Sequence, residues 1–257
     1  MTRAASSAAL PSVARLGRAA EVPAVLNLEL SVPAGIRVYP ARLHGAACVM
    51  LEDASVPHTA QHKPFSVGPL FEAGAGRARW RLGWLAATEP PQLPEAVALG
   101  PARCAVQPAR PASVTFAELL TRPPVRHVEL QFVSPTFFAR KGRDLPLPEP
   151  VLVMRSLAAR WDAHAPPELA LPAEVLSALL DSVYLDEMAG ETRRAQVSRT
   201  MWQTGFVGAA RLALTRAGDD VTARVFAALT CFAEFAGVGA QTTHGFGAVR
   251  LAEPHDG

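Results

Sequence analysis

Twice along this chain, alternating segments and amphipathic stretches follow the order strand, helix, strand, strand, helix, strand, and that repeat limits the possible folds more than any other feature. In the first unit, Val25-Leu-Asn-Leu-Glu-Leu-Ser-Val32 sets leucines on one face and polar groups on the other, the period of a half-buried strand, and Pro33-Ala-Gly35 ends it. From Ala41 to Asp53, Leu43, Ala46, Ala47, Met50 and Leu51 recur at helical spacing behind Pro40, a residue suited to a helix start. Lys63 to Ala73 and Arg77 to Ala87 read as a hairpin turning at Gly74-Ala-Gly76. Pro91 to Leu99 is a short helix candidate, and Ala102 to Gln107 is the closing strand.

The proline pair in Thr121-Arg-Pro-Pro-Val125 interrupts the pattern, and Val128-Glu-Leu-Gln-Phe-Val133 starts it again. Helical periods follow at Val151–His164 and Pro172–Val183, then strand-like segments at Tyr184–Gln196 and Gly205–Thr215. A helix over Asp219–Ala236 carries Val221, Val225, Leu229, Phe232 and Ala236 on one face, and Ala248–Ala252 closes the unit as a strand. The expected architecture is α+β: two tandem ferredoxin-like (RRM-like) βαββαβ domains with a cleft between them. The N-terminal domain is expected over residues 22–122 and the C-terminal one over 125–257, behind a partly ordered leader at 1–21.

Composition narrows the function less than it narrows the fold. A net charge of +2 is too mild to demand a nucleic-acid partner. Cys48, Cys104 and Cys231 are far apart and odd in number, which argues against a disulfide framework or zinc ribbon and for a reducing cytoplasm. No run of about 18 apolar residues is present, so a membrane partner is not expected.

The most distinctive segment is Gly237-Val-Gly-Ala-Gln-Thr-Thr-His-Gly-Phe-Gly247. Gly237 follows a helix and is explained as its C-cap, whereas Gly239, Gly245 and Gly247 would let backbone N–H groups approach an anion. Dinucleotide and Walker fingerprints place their glycines before a helix, so neither applies. The segment, continued through Ala248-Val249, resembles the C-terminal signature of the CRISPR-associated endoribonucleases that process precursor guide RNA, family six of the CRISPR-associated proteins in the RAMP superfamily. Lys63-Pro-Phe-Ser-Val-Gly-Pro-Leu70, Val133-Ser-Pro-Thr-Phe137, Leu145-Pro-Leu-Pro148 and Thr204-Gly-Phe-Val-Gly208 also resemble family segments, in the family's order, over about residues 22 to 252.

That resemblance implies binding of CRISPR repeat RNA and metal-independent cleavage, with no cofactor, leaving 2′,3′-cyclic phosphate and 5′-hydroxyl ends. Such a cut needs a base for the 2′-hydroxyl, an acid for the departing 5′-oxygen and a cation for the crowded phosphorane. By position in the family, His44 takes the place on the first helix, His58 the place in the following loop and Lys63 the lysine place. His44 stands where some members have tyrosine, His62 competes with His58, and neither acid nor base is assigned. Candidate RNA contacts are Gly237, Gly239, Gln241, Thr242, Thr243, His244, Gly245, Phe246 and Gly247, the arginines Arg193, Arg194 and Arg199, and Lys141 with Arg143. His244 is expected to touch phosphate or ribose. The four tryptophans are read as core or hairpin-face residues. Two other readings compete: a non-catalytic RNA-binding subunit of a CRISPR interference complex, and a small-molecule enzyme that uses the glycine loop for a nucleotide. Association with other interference subunits and homodimerisation are both left open.

Overall fold

The computed structural model describes residues 23–33, 35–52, 63–108 and 111–252. The leader at 1–21 and the candidate histidines His58 and His62 lie outside these residues.

The N-terminal unit contains β1 (Ala24–Ser31), α1 (Pro40–Leu51), β2 (Phe65–Gly74), β3 (Arg77–Trp84), β4 (Ala96–Leu99), β5 (Ala102–Pro108) and the short β6 (Ala112–Ser113). Its antiparallel sheet runs β2-β3-β1-β5-β4, with β6 also paired to β1. Leu26, Leu28 and Leu30 turn to one face, where α1 covers them with Leu43, Ala47, Met50 and Leu51. Trp80 and Trp84 are fully buried in this core, and their ring N–H groups donate to Gly68 O (3.0 Å) and Thr88 O (2.7 Å). A buried indole needs such an acceptor.

One element differs from expectation. Residues 91–95 are not helical, and Ala96–Leu99 is a strand paired with β5. Val97 and Leu99 are buried while Ala98 is exposed, a period of two, and Gly100 turns the chain at φ +68°. Among the described residues, a β-hairpin therefore stands where the second helix of a βαββαβ unit would lie.

A helix absent from the sequence reading, α2 (Phe116–Thr121), precedes the proline pair. Thr115 and Glu118 cap it reciprocally: Glu118 N donates to Thr115 Oγ1 (3.0 Å) and Thr115 N to Glu118 Oε2 (2.7 Å). Its Phe116 packs edge-on to Trp161 (4.9 Å between centroids), so α2 joins the C-terminal core.

The C-terminal unit comprises β7 (His127–Thr136), the hairpin β8 (Phe138–Arg140) and β9 (Arg143–Leu145), α3 (Pro150–His164), α4 (Ala173–Ser182), β10 (Val183–Gln196), β11 (Trp202–Leu214), α5 (Asp220–Ala236) and β12 (Val249–Leu251). Its four-stranded antiparallel sheet has the order β10-β11-β7-β12, the ferredoxin-like arrangement. Helix α5 is capped by Asp219, which accepts from Thr222 N (2.8 Å), and it buries Val225, Phe226, Leu229 and Phe232. No helix among the described residues is long and apolar enough to cross a membrane.

The end of α5 docks against β2 and β3 of the other unit. Ser66 Oγ donates to Phe235 O (2.6 Å), and Arg81 reaches Glu234 O (3.3 Å). A Cβ at Gly83 would lie 1.8 Å from Phe235 O, so only glycine admits this approach. From α3, Arg160 donates across the boundary to Phe65 O (3.2 Å).

Candidate functional site

Helix α1 and the glycine-rich loop come from different domains and meet at two stacked histidines. The rings of His44 and His244 lie 3.7 Å apart, 14° from parallel. His44 Nδ1 is 2.8 Å from Thr243 O. A carbonyl only accepts, so Nδ1 carries the hydrogen and Nε2 is the atom that can exchange a proton. Thr243 Oγ1 in turn lies 3.1 Å from His244 Nδ1.

His44, Cys48 and Glu52 are spaced by four along one face of α1 and its C-cap. Cys48 Sγ is 3.5 Å from His44 Nε2 and receives Lys63 Nζ at 3.4 Å, so a single thiol bridges the candidate acid–base group and the candidate cation. Lys63 is also ion-paired and hydrogen-bonded to Glu52. Burial works against the Lys63 charge, but the bond to Glu52 and the contacts with Cys48 outweigh it and hold the ammonium above its ordinary value. Burial, followed by Glu52, pushes the Cys48 thiol up to about 11, so it stays protonated. Burial, then the charges of His44 and Lys63, brings His244 down to about 4. His244 is therefore a neutral ring at working pH.

Cys48 and Glu52 were not among the candidate catalytic residues, although the four-residue spacing from His44 was there to be read. The segment 53–62, which contains His58 and His62, starts and finishes at the Glu52–Lys63 pair.

The loop itself is built for reasons other than those expected. The N–H of Gly237 donates to Ala233 O (2.9 Å), that of Gly239 to Ser156 Oγ (3.1 Å) and that of Gly247 to Pro135 O (3.1 Å). All three have positive φ, and a Cβ would meet Phe137 O at 2.4 Å from Gly239 and Val238 O at 2.0 Å from Gly247. These glycines let the chain fold back on itself. Gly245 differs: its φ is +87°, and a methyl carbon placed on it would have no neighbour nearer than 4.0 Å. Phe246 is 1% exposed, set edge-on to Phe137 (5.7 Å), and Thr242 is 3% exposed. Their side chains do not reach solvent, so of these two candidate RNA contacts only the backbone could meet a ligand: an aromatic inside a polar, glycine-rich stretch is the loop's hydrophobic anchor. Gln241 is exposed, and Gly239, Thr243 and His244 are half-buried.

The basic candidates lie on two hairpins. Arg193 and Arg194 are at the far end of β10, Arg199 is in its turn, and Lys141 and Arg143 border the β8–β9 turn. Gln203 Nε2 donates to Asp144 Oδ2 (3.1 Å), tying one hairpin to the other. Arg194 lies over the exposed Trp202 ring at 5.1 Å. The β10–β11 turn also touches the start of α1, where Ala41 N donates to Val197 O (3.1 Å), so this end of the arginine hairpin adjoins the histidine helix.

A family model described as CRISPR-associated endoribonuclease Cas6 matches residues 130–249. A solved Cas6 (TTHA0078) product complex is similar over 89% of this chain and 100% of its own, with 33% identity and a TM-score of 0.72. The chain belongs to the Cas6 family. A second Cas6 (TTHB231) product complex aligns at 26% identity and TM-score 0.74, covering 91% of this chain and 100% of its own; TTHB231 is from Thermus thermophilus. A Mycobacterium tuberculosis CRISPR-associated endoribonuclease Cas6 is 31% identical over 144 residues, 53% of this chain. The matched stretch spans only 42% of that relative's length. The family's tandem ferredoxin-like architecture thus extends to this chain, with the β4–β5 hairpin as its local variation.

Proposed function

We propose that the chain is an endoribonuclease that binds CRISPR repeat RNA and cuts the precursor transcript into guide RNAs without a metal, leaving 2′,3′-cyclic phosphate and 5′-hydroxyl ends. The observation that carries this reading is the junction of His44 with the glycine-rich loop: the Nδ1 contact to Thr243 O at 2.8 Å and the 3.7 Å stack on His244. An imidazole whose Nδ1 is anchored and whose ring is clamped presents Nε2 in a fixed direction, as proton transfer at a defined oxygen requires. With an ordinary pKa near 6.5, histidine suits either proton transfer at working pH.

In the reaction, one imidazole takes the proton of the 2′-hydroxyl as that oxygen attacks the adjacent phosphorus. The P–O5′ bond breaks, and a second group returns a proton to the departing 5′-oxygen. His44 and His58 share these two steps, and Lys63 offsets the charge that gathers on the phosphorane oxygens. RNA phosphates drawn to Lys63 compete with Glu52 for its ammonium. Gln241, Thr243 and His244 hold the RNA beside His44, and the arginines of β10–β11 with Lys141 and Arg143 of β8–β9 bind flanking phosphates. The solved relatives include a Cas6 (TTHA0078) product complex and a substrate mimic complex, which supports RNA as the ligand class.

The test is cleavage of a repeat RNA in EDTA by wild type, His44→Ala and His58→Ala, with the new ends mapped. Wild type is expected to cut, and loss of either histidine to slow the cut by about 10²-fold or more. A requirement for added divalent metal, or full rates for both variants, would sink the mechanism. Tight binding without cleavage by wild type would make the chain an RNA-binding subunit instead.

A further inference from the structure

Two thiols of the N-terminal core are used differently. Cys104 of β5 is fully buried and makes no hydrogen bond among the described residues, as befits a cysteine that serves as a small apolar filler. Cys48 is 6% exposed and belongs to the same core, yet it sits where the apolar stripe of α1 gives way to His44, one helical turn earlier. Its sulfur is 3.5 Å from His44 Nε2 and 3.4 Å from Lys63 Nζ.

The two ends of this chain of contacts fix where its hydrogens lie. At one end, His44 Nδ1 gives its hydrogen to Thr243 O, which leaves Nε2 with a lone pair. At the other, the Lys63 ammonium can only donate, and it divides its hydrogens between Glu52 and the sulfur. One polarity is then open to the thiol: sulfur accepts from Nζ, and S–H donates to Nε2. Burial above all, then Glu52, pushes the thiol up to about 11, so the S–H hydrogen is present throughout the working range.

We propose that Cys48 is a positioning residue for strand cleavage: its thiol bridges Lys63 and His44 and holds the cation and the proton-exchanging nitrogen at the spacing that one phosphate group requires. The assignment rests on the proposed cleavage reading, in which both side chains act at the same phosphorus. Nε2 has to meet a ribose oxygen and Nζ a non-bridging oxygen of that phosphate, so the two nitrogens must stay within about two hydrogen-bond lengths of each other. The sulfur between them enforces this spacing before RNA arrives. Because S–H is a weak donor, an RNA hydroxyl displaces it from Nε2 at small cost.

The experiment compares single-turnover cleavage of a repeat RNA in EDTA by wild type, Cys48→Ala and Cys48→Ser, with RNA affinity measured alongside. Cys48→Ala is expected to slow the cut roughly tenfold at unchanged affinity, the worth of about one hydrogen bond at the reacting centre. Cys48→Ser, whose hydroxyl accepts and donates in the same sense, is expected to recover most of the rate. An apolar filler predicts the reverse order, because alanine suits a core and a hydroxyl does not. Alanine cutting as fast as serine, or a loss confined to affinity, would therefore overturn the proposal. A second readout does not depend on cutting. Infrared spectroscopy resolves the S–H stretching bands, each assigned by its loss in the matching alanine variant. The Cys48 band is expected at lower frequency than the Cys104 band and is expected to move up toward it in His44→Ala; a Cys48 band indifferent to His44 would overturn the bridge. A wild type that leaves the RNA uncut would overturn the cleavage reading and this role with it, whereas an unbridged thiol in a wild type that cuts would overturn the role alone, so the two failures are told apart.

Discussion

At His244 the folded chain refuses a proton that the unfolded chain accepts. Burial and the adjacent charges of His44 and Lys63 bring this imidazole from its ordinary 6.5 to about 4. Between those two values the unfolded state binds more protons at this position, so folding stability falls as pH is lowered through the window and is retained in full above it. The midpoint of thermal unfolding is therefore expected to drop between pH 6.5 and about pH 4, and to drop less in His244→Gln. Equal pH slopes for the two proteins would contradict the burial of this ring among positive neighbours. Glu52 belongs to the same electrostatic unit. Replacing it by glutamine leaves the Lys63 ammonium in a site where both partners are only 11% and 12% exposed, and a loss of about 2 kcal/mol or more is expected in chemical denaturation. The same substitution frees Lys63, so RNA affinity and stability are expected to move in opposite directions.

Among the elements, the glycine-rich loop separates two kinds of glycine. Gly247→Ala places a methyl group about 2.0 Å from Val238 O at φ +71°, and a cost of about 3 kcal/mol or more is expected from collision and left-handed strain together. Gly245→Ala meets no such obstacle and bears only the conformational term, about 1 kcal/mol. Comparable destabilisation of both would mean that the loop is not shaped by self-packing. Thr115→Ala should remove the capping box of α2 at about 1 kcal/mol. That helix was announced by Thr115-Phe-Ala-Glu118, yet six residues are too short a run for periodicity to reveal. At Pro91–Leu99 the converse holds: the four strand residues Ala96–Leu99 are too few for their period of two to stand out from a short helical run. By contrast α1, α3, α5 and the long strands β1, β7 and β11 carry enough turns or alternations for their pattern to be read within a few residues of their ends. The stack of His44 on His244 was not legible, because it joins side chains about 200 residues apart in different domains, and no local pattern encodes which loop a helix will meet.

At the scale of the whole molecule, the covalent and packing boundaries do not coincide. Phe116, Leu119 and Leu120 of α2 are buried with Trp161 and Phe232, although they precede the proline pair. A fragment beginning at residue 111 is therefore expected to fold and unfold cooperatively, whereas one beginning at 125 exposes that apolar surface and should aggregate; size-exclusion chromatography and calorimetry distinguish the two. The joint between the domains is equally unforgiving, since Phe235 O occupies the space a side chain at Gly83 would need. The order of the two halves along the chain also sets when the site can first act. His44 is synthesised 199 residues before Thr243, so a growing polypeptide carries the first ring long before the carbonyl and second ring that clamp it exist. N-terminal domains commonly fold first during synthesis. On the proposed function, a nascent chain is thus expected to leave nearby transcripts uncut until the second domain has emerged and docked, which makes completed assembly a checkpoint on cleavage.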